Sequence, residues 1–127
     1  MKINLRNLFL IALIGIIGGA VNASAQIKTG GYKKIAATDA GAVAAAEFAA
    51  KAQGEKDSAE ITLQAVKTAE SQTVAGMNYK LCIEVYRVDQ GDNVEVKQFA
   101  QTVVFRNLKK EYQLKSWVEA EDCGEEE

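Results

Sequence analysis

Two cysteines and 17 carboxylates hold most of the reactive chemistry that this chain of 127 residues could offer, and it contains no histidine. Without an imidazole, neither a Ser-His-Asp nor a Cys-His arrangement can be built. A zinc site would need four ligands drawn from two distant cysteines and carboxylates, far from the usual Cys/His clusters. Gly30-Gly31 lacks the further glycine and the Lys-Ser/Thr ending of a phosphate loop. These residues therefore give no expectation of an enzyme, a metal or a cofactor. What remains for Cys82 and Cys123 is a disulfide, because an even count in an exported chain favours pairing. Closing a loop of that length adds about 4 kcal/mol in the loop-entropy picture. The alternative is two separate thiols that merely fill space.

Export is read from the N-terminus. Lys2 and Arg6 form a basic start, Leu8 to Ala20 an apolar core, and Ala23-Ser24-Ala25 a small-x-small cleavage pattern before Gln26. The apolar run is short for a membrane span and has no basic flank after it. The expected organisation is a signal peptide over 1–25 and a single domain over 26–127, secreted or periplasmic and free of the membrane after cleavage. Losing Lys2 and Arg6 and no acid moves the formal charge from −2 to −4. An acidic domain without a basic stripe is a poor nucleic-acid binder, since phosphate affinity comes from Lys and Arg.

The other segment of interest is Gln72-Thr73-Val74-Ala75-Gly76, which lies between two strand-like runs and reads as a hairpin tip. Gly76 accepts positive φ at no steric cost. Val74 sets an apolar group at that tip, where it costs solubility unless it enters something. Thr73 and Ala75 are small enough for a narrow slot. Gln72 can hydrogen-bond across the turn.

The elements that must carry this tip follow from periodicity. Tyr32 to Ala36 reads as a short strand. Thr38 or Asp39 offers an N-cap oxygen. Ala40 to Gln53 is helical, with eight alanines, and Gly54 supplies a stop before a polar turn to Ser58. Low alanine side chains let such a helix lie close in a bent sheet. Ile61, Leu63 and Ala65 alternate with polar residues until the phase slips at Val66, which indicates a β-bulge. From Met77 to Val88, Tyr79, Leu81, Ile83 and Val85 point one way, and Lys80, Cys82, Glu84 and Tyr86 the other. Gln90 to Asn93 is a turn, Val94 to Leu108 a long strand, and Tyr112 to Glu121 a last strand. One helix followed by antiparallel strands is an α+β arrangement.

In this order and spacing the pieces resemble the cystatins. Gln72, Val74 and Gly76 meet the Gln-x-Val-x-Gly signature. Gly30-Gly31-Tyr32 precedes the helix as in plant-type members, and Ala46-Glu47-Phe48-Ala49 resembles the helix core those proteins carry. Asn78-Tyr79-Lys80-Leu81 matches the following strand. The resemblance implies one α-helix packed on a curved antiparallel sheet of four to five strands. It also implies a monomer that inhibits papain-like cysteine proteases reversibly and noncovalently. A three-part wedge would do this: the lead peptide to Gly30 and Gly31, the tip Gln72, Thr73, Val74, Ala75 and Gly76, and a second loop from Lys109 to Tyr112. Family members usually carry Pro-Trp in that second loop. This chain has no proline, and Tyr112 is the only aromatic available there. The pairing of the animal cystatins does not map onto Cys82 and Cys123. The alternative is a non-inhibitory binding or structural module of the cell envelope on the same scaffold.

Overall fold

A computed structural model describes residues 31–124. The 1–25 leader, Gly30 and the last three acidic residues lie outside them. The elements run β1 Lys33–Ile35, α1 Ala40–Asp57, β2 Ala59–Val74, β3 Gly76–Asp89, β4 Val96–Arg106 and β5 Tyr112–Ala120. The five strands form one antiparallel sheet in the order β1-β2-β3-β4-β5.

Helix α1 starts where Asp39 caps it: Asp39 Oδ2 accepts the Ala42 N–H at 3.0 Å. Its buried face repeats at helical spacing through Ala42, Ala45, Ala46, Ala49, Ala50 and Gln53. This face meets Ala69, Tyr79, Leu81, Ile83, Val85, Ala100 and Val104 of the sheet. Because methyl groups are short, the helix lies close against the strands, and Phe48 and Trp117 fill the margins of the contact.

The helix does not stop at Gly54, as composition suggested. It runs one more turn to Asp57, and Ser58 takes the left-handed cap, with its N–H on the Gly54 carbonyl. Gly54 is needed for a different reason. A Cβ there would stand 2.7 Å from the Ala59 carbonyl oxygen, so the helix and the start of β2 approach through a missing side chain. Asp57 fastens the same end, accepting from Gln53 Nε2 and from Arg87 Nη1 of β3, each at 3.0 Å.

Register shifts flank Val66, between Leu63 and Ala65 and between Val66 and Thr68, where the broken alternation placed a bulge. They bend β2 around the helix. On the opposite face of the sheet, Cys82 and Cys123 form a disulfide across 41 residues and clamp the segment after β5 to β3.

Candidate functional site

One register row crosses four strands: Thr73 opposite Met77, Met77 opposite Arg106, and Arg106 opposite Tyr112. Beyond that row the chain is almost all loop. Both the β2–β3 tip and the β4–β5 connection project from the same edge. The first described residues reach the same end of the sheet. Lys33 lies opposite Ser71, and continuing that register would set Gly31 beside Thr73. Tyr32 anchors the lead, its ring 4.8 Å from Lys80 Nζ.

The first loop is a one-residue bend. Val74 pairs with Gly76 and Ala75 forms the apex. Gln72 acts across the hairpin: its Oε1 accepts from Asn78 Nδ2 at 2.9 Å. Thr73, Val74 and Ala75 are exposed, Val74 by 36%. Gly76 is buried, at φ +124, and a Cβ on it would lie 2.4 Å from the Arg106 carbonyl oxygen. Two constraints thus demand glycine, a positive φ and a close backbone. By contrast, a Cβ at Gly31 would meet nothing within 4 Å among the described residues.

The second loop spans 107–111, earlier in the chain than the Lys109-to-Tyr112 expectation. Asn107 organises it. Its Oδ1 accepts the backbone N–H groups of Lys109 and Glu111 at 2.8 and 2.9 Å, and its Nδ2 donates to Glu111 Oε1 at 2.8 Å. The Asn107 N–H reaches the Glu111 carbonyl, and the Lys110 N–H reaches the Asn107 carbonyl. Lys110 sits at φ +67. An asparagine side chain imitating backbone stiffens this proline-free loop.

Tyr112 is not the apolar tip of this loop. It opens β5, and its ring stacks on Phe48 at 5.3 Å between centroids. The exposed apolar side chain is Leu108, at 78%. It escaped the sequence reading because Val94 to Leu108 looked like continuous strand. The signal that could have found it was Asn107, a turn former just before the Lys-Lys pair.

The two loops line one open recess of about 270 Å³, bounded by Thr73, Val74, Gly76, Met77, Leu108 and Lys110, among others. A larger hollow, about 620 Å³, lies at the other end of the helix, walled by residues such as Glu55, Glu60 and Asp89. No group of acids and cysteines among the described residues could hold a metal. No helix among them is long and apolar enough to cross a membrane.

A tip, a braced second loop and a lead strand on one edge, above a helix-filled sheet, define a protein built to present a blunt edge. The cystatin domain model matches residues 30–124, and the chain belongs to the cystatin family, a family of protease inhibitors and not of enzymes. Among solved structures it is similar to a salivary cystatin from the soft tick Ornithodoros moubata. That match has 27% identity and a TM-score of 0.60, over 73% of this chain and 99% of the tick protein. It is similar in fold to Al-CPI, with 20% identity and a TM-score of 0.55, over 72% of this chain and all of that one. A comparison with curated proteins finds no significant match.

Proposed function

We propose that the mature chain is a reversible, noncovalent inhibitor of papain-like cysteine proteases, acting as a monomer. Its contact edge would be Gly30 and Gly31, Gln72 through Gly76, and Leu108 in the place first given to Tyr112. The observation that carries this reading is the exposed Val74 beside Leu108, two apolar side chains held over one recess by stiff backbone. Stiff, pre-shaped loops lose little entropy on binding. No scissile bond need be offered. Export to an extracellular or periplasmic space agrees with the N-terminal pattern and with the Cys82–Cys123 disulfide.

Titration of papain with the mature chain tests this. Activity should fall with micromolar or less of the protein, and Val74→Asp and Leu108→Asp should each weaken inhibition by about tenfold or more. Full papain activity in the presence of micromolar wild-type protein would remove the proposal.

A further inference from the structure

The charges of this acidic protein are not evenly spread. Arg106, Lys109 and Lys110 stand on or beside the second loop. The carboxylate in that loop, Glu111, accepts from Asn107 Nδ2 and keeps its charge, so it offsets one of these three cations. Among the described residues the ion pairs lie elsewhere: Arg87 with Asp57 and Asp89, and Lys97 with Glu84. The opposite end of the sheet and helix is acidic, with Glu55, Glu60, Asp89 and Asp92 around one hollow against a single lysine, Lys51. The molecule therefore carries a dipole whose positive pole is the edge bearing Leu108.

We infer that the second loop selects proteases whose cleft carries carboxylates along the rim it meets, around an apolar subsite that takes Leu108. This rests on the inhibitor reading above and names the partner's surface. Lys109 and Lys110 are exposed, so their effect is long-range and screened within about 8 Å at physiological salt. Charges of this kind steer encounter and raise the association rate, while a seated apolar side chain governs dissociation. The two roles should separate by residue. Lys109 and Lys110 act on the approach, and Leu108 acts on the residence time. The rest of the protein, net negative, repels an acidic partner in other orientations, so the dipole also aligns the edge with the cleft.

The test is a stopped-flow comparison of the mature chain with two forms of one papain-like protease: the enzyme with its acidic rim, and a variant with the rim carboxylates changed to lysine. Against the acidic rim, the association rate should fall roughly tenfold between about 20 and 200 mM salt. Lys109→Glu with Lys110→Glu should remove most of that rate at low salt and leave dissociation nearly unchanged. Rim reversal should do the same to the wild type. Leu108→Ala should raise dissociation about tenfold at an unaltered association rate. Association indifferent to salt and to both charge reversals, with Val74→Asp still weakening inhibition, would overturn this inference and leave the inhibitor reading standing. A wild-type protein that inhibits neither enzyme would overturn both.

Discussion

The carbonyl oxygen of Arg106 lies too close to Gly76 to admit a Cβ there, so Gly76 seats the first loop directly on the end of β4. The two loops are thereby held in one fixed relation. The spacing of the edge is set by backbone contact and does not depend on side chains that could rotate.

Gly76→Ala should accordingly damage both stability and binding. A left-handed φ and a blocked Cβ together cost about 2 kcal/mol or more. Thermal denaturation should show a melting point lowered by about 10 °C. Inhibition measured well below that temperature should still be weaker, because the tip moves relative to Leu108.

Asn107→Ala separates loop order from global stability. Its partners are exposed and can turn to water, so the loss in unfolding free energy should stay under about 1 kcal/mol. Amide exchange at Lys109 and Glu111 should accelerate, and inhibition should weaken through the entropy of ordering a loosened loop. Unchanged exchange at both amides would show that Asn107 does not brace the loop.

Gly54→Ala sets helix propensity against packing. Propensity alone favours alanine inside a helix by about 1 kcal/mol. The carbonyl of Ala59, 2.7 Å from the new methyl carbon, opposes it. We expect net destabilisation in urea unfolding. A stabilised variant would mean that β2 can yield at its start.

Removing the disulfide by Cys123→Ser should lower stability by up to about 4 kcal/mol, the loop-entropy value for a closure of this length. Urea unfolding with and without reductant should give matching losses. The disulfide lies on the sheet face away from the helix, so papain inhibition by the folded variant should persist.

Asp57 gives an acid dependence. The hydrogen bond from Gln53 Nε2, then that from Arg87, holds its carboxyl below the ordinary value. A depressed folded pKa contributes stability above the unfolded value, and this is lost as pH falls through the folded one. Wild type should therefore exceed Asp57→Asn in stability near pH 7, with the gap closing below about pH 4. Urea midpoints across that range measure it.

Much of the fold was legible in particular residues. The alternation Tyr79, Leu81, Ile83, Val85 gave the buried face of β3, and all four are buried. Asp39 was one of two candidate caps, and its carboxylate took the role because it reaches the Ala42 N–H. The slip at Val66 marked the bulge. Gly54 misled because glycine serves two purposes. Local composition reads it as a helix end, while its real constraint is the start of β2, whose Ala59 carbonyl lies five residues further along the chain. The packing of Tyr112 was not legible either, since its ring stacks on Phe48, more than sixty positions upstream.

The amino-acid sequence by itself determined the order and type of the elements, the bulge and the hairpin bearing Val74, because alternation, capping and turn chemistry act between residues a few positions apart. Only the tertiary structure decided that Leu108 stands exposed beside Val74, that Asn107 braces the loop below it, and that the basic residues gather at that edge. Those relations depend on strand register, and register is fixed when the whole sheet closes over its helix and buries one face.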